Sequence, residues 1–289
     1  KNMGKHNHQL ISKGGLSVAV PGELKGYDYV WKKYSKLPWQ KLIQPSISML
    51  RAGVKVDDSL SIALNKWKKD ILNEPTLRSL FTNNGKILKK GHVYRNQKLA
   101  NTFEIISLNG PDIFYTNFSD IIEKEIHEKY GCLSKFDLMS YTVTHENPSK
   151  MQFGKTKVLL SSAPSSGPLL GFILNIFKGF NFSLKDIKEN PVKVYHCLIE
   201  TFKFSFAHRT NLSDPKFNKN IKNYVRQLLS EEYANKIRAR IDSNKIHNVS
   251  YYGHIKCNRL KSGTTHLVVI DKFKNVVSVT STINGYFGA

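Results

Sequence analysis

A mixed α and β fold is what this sequence predicts, on three observations. Several stretches set apolar residues at helical spacing, and two β-branched runs near the C-terminus flank a polar turn. A chain of 289 residues with 40% hydrophobic and 11% aromatic content can bury a substantial core and is not disordered. One large domain, or most of one, follows from that length, and no internal repeat divides it.

Taken in chain order, Pro21-Gly22-Glu23 opens a helix running to about Tyr34. Pro45 suits the first turn of a second helix, which ends at Gly53 as its C-cap. Asp58 to Leu72 keeps helical spacing, and Ser134-Lys135-Phe136-Asp137 reads as a capping box for a helix leading to Tyr141. Val158 to Leu160 is a strand. Pro168 to Lys178 is apolar on all sides, which predicts a buried helix with Gly179 beyond it. Tyr195 to Arg209 is a long amphipathic helix. Its His196 and His208 read as packing or surface histidines and not as metal ligands. Ile221, Tyr224, Val225, Leu228 and Leu229 form another stripe, and Ser230 caps a helix through Ile241. Asn244 to Gly263 is the loosest stretch and reads as a linker.

The C-terminal runs, Thr265 to Ile270 and Val276 to Thr282, make a β-hairpin around Lys272-Phe273-Lys274-Asn275. A three-residue loop sets Thr264 opposite Thr282, whereas a two-residue loop sets Thr265 there. Strand alternation would put Asn284 on the face of Thr282. A threonine hydroxyl is a poor nucleophile unless a base takes its proton. One solution is the residue's own α-amine, freed when the preceding peptide bond is cut. That amine titrates at roughly 7.7–8.0, near working pH. Gly263 fits as the preceding residue, because glycine tolerates a twisted backbone that offers its carbonyl carbon to the next hydroxyl. Thr264 is therefore a candidate self-cleaving N-terminal nucleophile. A plain hairpin edge with solvated hydroxyls would show the same composition.

The Gly263-Thr264-Thr265-His266-Leu267-Val268-Val269 run, with Val279 to Asn284 and Tyr286-Phe287-Gly288, resembles the processing site and first hairpin of the γ-glutamyltransferases, also called glutathione hydrolases. Further blocks match in family order: Gly14 to Glu23, Leu37-Pro38-Trp39 with Gln44 to Ile47, Ser162 to Pro168, Phe204 to Arg209, and Asp214 to Phe217. The resemblance covers nearly the whole chain. It implies an α+β fold, the N-terminal-nucleophile hydrolase type of four-layer αββα sandwich, of which this chain would hold part. It implies residues 1–263 as the C-terminal part of a large-subunit region and 264–289 as the start of a small-subunit region in the same domain.

Residue roles follow from the same resemblance. Thr264 matches the nucleophile, which first attacks the Gly263–Thr264 peptide and then a γ-glutamyl carbonyl. Thr282 matches the threonine that supports the nucleophile, and Asn284 a residue that holds the glutamyl α-amino and α-carboxylate end. Thr265 carries no family role. The implied partners are glutathione and other γ-glutamyl compounds, an amino acid or dipeptide acceptor, and two subunits cut from one precursor. No metal or other cofactor is implied. The family's substrate-clamping arginine lies upstream of residue 1, and its acidic, serine and Gly-Gly oxyanion residues lie downstream of Ala289. The expectation is thus a fragment that does not turn over by itself, in keeping with a start at Lys1 and an end soon after the hairpin. The alternative is a non-catalytic relative acting as a binding protein.

Net charge is +22, from 44 Lys and Arg against 22 Asp and Glu. The lysines are spread in ones and twos with no zinc, RNP-like or basic-zipper pattern, which disfavours nucleic-acid binding. Cys132, Cys197 and Cys257 are sparse and give no disulfide framework. Asn117, Asn181, Asn211 and Asn248 fit the N-glycosylation pattern, whereas Asn147 is excluded by Pro148. The resemblance implies an extracellular face with a membrane anchor outside this chain. The longest apolar run, Pro168 to Phe177, is too short to span a bilayer.

Overall fold

The computed structural model describes residues 13–253 and 264–288. The chain divides into two compact units, Lys1–Val143 with Lys261–Ala289, and Thr144–Leu260.

The first unit begins with α1 (Glu23–Tyr34) and α2 (Trp39–Ala52), and Gly53 ends α2 at φ 111°. Both ends agree with the sequence reading, but α2 starts six residues earlier than Pro45 suggested, so the proline sits inside it. Tertiary packing holds that first turn. Trp39 is buried and its Nε1 donates to the Ile106 carbonyl at 3.1 Å, on α6 (Gln97–Asn109), while Arg51 pairs with Glu104 across the same two helices. Short strand β1 (Val54–Lys55) leads to α3 (Asp58–Lys66), capped by Asp57, and α4 (Lys68–Asn73). The helical stretch from Asp58 to Leu72 is therefore broken at Trp67 (φ −103°, ψ 18°), which caps both pieces.

Helix α5 (Pro75–Phe81) carries proline in its first turn, where a missing N–H costs nothing. Strands β2 (Thr82–Asn83), β3 (Lys86–Ile87) and β4 (Val93–Tyr94) follow, with β2 on β3 and β1 on β4, all antiparallel. Val56, Leu64, Ile71, Phe81, Ile87 and Leu88 form one core here. A second core, Tyr115, Ile126, Leu133 and Leu138, joins α7 (Asp112–Tyr115), α8 (Ser119–Glu128) and α9 (Lys135–Met139). The capping box at Ser134 and Asp137 is formed as expected, though α9 stops at Met139.

The second unit opens on a hairpin, β5 (Ser149–Phe153) and β6 (Thr156–Leu160), of which the sequence reading had only Val158 to Leu160, within β6. Helices α10 (Gly167–Lys178), α11 (Leu184–Glu189), α12 (Pro191–Ala207), α13 (Ile221–Leu228), α14 (Glu231–Arg238) and α15 (Val249–Tyr252) complete it. Its core unites Leu169, Phe172, Ile176, Phe204, Ala207, Leu228, Ala234, Ile237 and Tyr252. Helix α10 is buried through most of its face, with Leu170 half exposed. The stretch read as a linker from Asn244 is not loose throughout. Tyr252 is buried and donates its hydroxyl to Glu200 Oε2 at 2.7 Å, and Arg240 Nη2 donates to the Tyr251 carbonyl at 2.6 Å.

His208 packs edge-on to Phe172 and Tyr233, with Nδ1 2.7 Å from the Tyr224 hydroxyl and Nε2 3.2 Å from the Tyr233 hydroxyl. Burial lowers its pKa. Because the folded value lies below the unfolded value of about 6.5, the unfolded chain takes up the proton first as pH falls. The second unit should lose stability below about pH 6.5, a slope that His208→Gln removes, read by urea unfolding at stepped pH.

Gly15 explains one matched block. It is buried, its N–H donates to the Lys129 carbonyl at 3.0 Å, and a Cβ there would stand 2.5 Å from the Gly131 nitrogen. Gly15→Ala is expected to destabilise the first unit by about 1–3 kcal/mol, measured by urea unfolding.

Candidate active site

The C-terminal hairpin, β7 (Thr265–Ile270) and β8 (Val276–Ser281), belongs to the first unit. Its register runs from Thr265↔Ser281 to Ile270↔Val276. One step beyond, Thr264 stands opposite Thr282, the arrangement that a three-residue loop predicts. The Asp271 N–H donates to the Asn275 carbonyl and the Lys274 N–H to the Asp271 carbonyl, each at 3.0 Å, with Lys274 at φ 65°. That is a tight turn closed by a left-handed residue, whose geometry matches strand twist.

Asp271 locks the turn. Its Oδ1 accepts from the backbone N–H groups of Phe273 and Asn275 at 2.8 Å, and its Oδ2 from the Asn275 amide at 2.9 Å. The hydrogen bonds from Asn275 hold its carboxyl below the usual carboxylate range. Asp271→Ala should speed hydrogen exchange at the Phe273 and Asn275 amides; unchanged exchange would remove the clasp from this account.

Because directly opposed residues share a face, the hairpin has two distinct sides. One carries Thr264, His266, Thr280 and Thr282 toward the open end, with Ser278, Val268, Ile270 and Val276 toward the turn; the other carries Thr265, Leu267, Val269, Val277, Val279 and Ser281. His266 bridges the strands, with Nδ1 2.7 Å from Thr280 Oγ1 and Nε2 3.3 Å from Ser278 Oγ. The Thr264 hydroxyl is exposed and donates to the Ser281 carbonyl at 2.8 Å. Thr282 Oγ1 accepts the Asn284 N–H at 3.2 Å.

The structure thus brings Thr264, Thr282 and Asn284 to the open end of one hairpin. Asn284 reaches that end by a turn and not by strand alternation, because β8 stops at Ser281 and Asn284 is left-handed at φ 71°. Thr265 pairs with Ser281 and faces the other side. Gly263 lies outside the described residues, as does Cys257. Cys132 and Cys197 are free thiols. Asn117, Asn181, Asn211 and Asn248 are all exposed. Among the described residues, no group of three or more His, Cys, Asp or Glu side chains could hold a metal, and no helix is long and apolar enough to cross a membrane.

The chain is mixed helix and antiparallel strand, and its likeness to solved structures gives it the α+β fold of the N-terminal-nucleophile hydrolases. The Helicobacter pylori gamma-glutamyltranspeptidase structure aligns over 84% of this chain and 69% of its own, with TM-score 0.77 and 26% identity. The chain belongs to the gamma-glutamyltranspeptidase family, whose sequence profile matches residues 1–289. Glutathione hydrolase 2 of Arabidopsis thaliana is 37% identical over 98% of this chain and 49% of its own length. Glutathione hydrolase 5 proenzyme of Rattus norvegicus is 35% identical over 96% of this chain and 50% of its own. The chain spans about half the length of the curated relatives it matches.

Sequence reasoning assigned nothing to His266 or to the contacts of Tyr286 and Phe287. The signal for His266 was its place two residues after Thr264, hence on the same face. The signal for the aromatic pair was two large rings directly after a glycine turn.

Proposed function

We propose that this chain is part of a γ-glutamyl hydrolase and transferase that activates itself by cleavage between Gly263 and Thr264. The observation carrying the proposal is the hairpin register, which sets an exposed Thr264 hydroxyl opposite Thr282, directly after a glycine. In the first stage, Thr264 Oγ attacks the Gly263 carbonyl carbon, and the peptide C–N bond breaks as the acyl group moves to oxygen. Water then splits the ester, leaving a Gly263 carboxylate and a free Thr264 α-amine.

In the second stage, that amine takes the hydroxyl proton as Oγ attacks the γ-glutamyl carbonyl of glutathione or a similar compound. The departing amine takes the proton, and a γ-glutamyl ester stays on Thr264. Water or the amine of an amino acid or dipeptide then resolves the ester. Thr282 supports Thr264, and Asn284 holds the α-amino and α-carboxylate end of the glutamyl group. Residues 1–263 end the large-subunit region, and 264–289 begin the small one. The substrate-clamping and oxyanion groups come from parts of the protein beyond these residues, so these 289 residues alone should show no turnover. The protein faces the outside of the cell, with glycans on Asn117, Asn181, Asn211 and Asn248.

Intact mass and N-terminal sequencing of the full-length protein from a secretory host test the reading. Wild type should show a new N-terminus at Thr264, Thr264→Ala should stay whole, and Thr282→Val should cleave more slowly than Thr265→Val. Cleavage of Thr264→Ala at Gly263 would sink the nucleophile, and a folded wild type that stays whole would favour a non-catalytic binding relative.

A further inference from the structure

Both faces of the β7–β8 hairpin are exposed from Leu267 to Val277, so its own side chains do little to hold it on the first unit. The residues after it make firmer contacts. Asn284 at φ 71° and Gly285 reverse the chain, and a Cβ on Gly285 would stand 2.6 Å from the Gly288 carbonyl oxygen. Only glycine fits that approach. The reversal delivers Tyr286 and Phe287 to the wall formed by α3, α4 and α5. The Tyr286 ring lies 5.8 Å from that of Trp67, with Lys66 Nζ 5.0 Å from the Tyr286 centroid. The Phe287 ring lies 5.4 Å from Phe81, which is itself 5.2 Å from Tyr94. Phe287 packs on the core of Val56, Leu64, Ile71, Phe81, Ile87 and Leu88.

We infer that Tyr286 and Phe287 form a docking plug that positions the candidate nucleophile. Seated between Trp67 and Phe81, the plug fixes the end of β8, and so sets where Thr282 and Asn284 stand relative to Thr264. Trp67 and Phe81 act through the plug, as positioning residues, with no contact to the reacting atoms. The break between α3 and α4 takes its meaning from this role. Trp67 is the residue at that break, and its ring is the one that meets Tyr286. A hydroxyl that must meet a carbonyl carbon at about 3–3.5 Å is sensitive to such an anchor, because a misplacement of about 1 Å can cost about 100-fold in rate.

The inference rests on Thr264 being the nucleophile, and the test separates the two. In the full-length protein, the first-order rate of cleavage at Gly263–Thr264 is measured for wild type, Thr264→Ala, Tyr286→Ala, Tyr286→Phe and Phe287→Ala. Tyr286 is 55% exposed, so its truncation leaves folding largely intact even where Phe287→Ala does not. The plug predicts cleavage about 10–100-fold slower in Tyr286→Ala and Phe287→Ala, with Tyr286→Phe at the wild-type rate because the ring contact is kept. A merely structural role would lower the cleaved fraction without changing the rate constant. Wild-type rates in folded Tyr286→Ala and Phe287→Ala, with Thr264→Ala blocked, overturn the plug and leave the nucleophile standing. Cleavage of Thr264→Ala removes the nucleophile and the plug together.

Discussion

The constraint on which the candidate site depends is the register of one hairpin. A slip of one residue would send every side chain of β7 to the opposite face, putting Thr265 where Thr264 stands and Leu267 where His266 stands. Two local devices oppose that slip. The Asp271 carboxylate gathers two backbone N–H groups and one amide at the turn, and His266 spans Thr280 and Ser278 near the open end. Neither device is buried, so each contributes only a modest net amount. They act together with the ladder of backbone hydrogen bonds between them, and it is the sum that selects one alignment.

The two units solve the same packing problem differently. In the first, helices and the two-residue strands β1 to β4 enclose small separate cores, and the backbone approaches closely at Gly15 and Gly131. In the second, α10 and α12 carry a larger aromatic core in which polar groups are satisfied inside. Glu200 is 1% exposed, yet its two oxygens accept from Lys203 at 2.7 Å and Tyr252 at 2.7 Å. A buried carboxylate so paired avoids the cost of a lone charge. The same bonds tie α15 to α12, immediately before the segment that leads to Thr264.

Among the described residues, several surface lysines pair singly with exposed carboxylates, as Lys90 does with Asp58 and Lys135 with Asp120. Pairs of that kind add little stability.

Much of the fold was legible in the sequence, because its signals are local. Glu23 to Tyr34, the Ser134 capping box, the Ser230 cap and the polar turn at Lys272 to Asn275 each draw on neighbours a few residues away, and capping and turn chemistry obey short-range rules. The pairing of Thr264 with Thr282 was legible for the same reason, once the loop length was chosen. The early start of α2 was not, since Trp39 is held by Ile106, 67 residues away. Nor was the break at Trp67, whose ring meets Tyr286 far along the chain. By itself the sequence made Thr264 a candidate nucleophile through chemistry and periodicity, while the support and clamp roles of Thr282 and Asn284 were implied only by family resemblance. Tertiary structure alone decided how the hairpin is held, because that rests on aromatic contacts between segments some 200 residues apart, which no local pattern encodes.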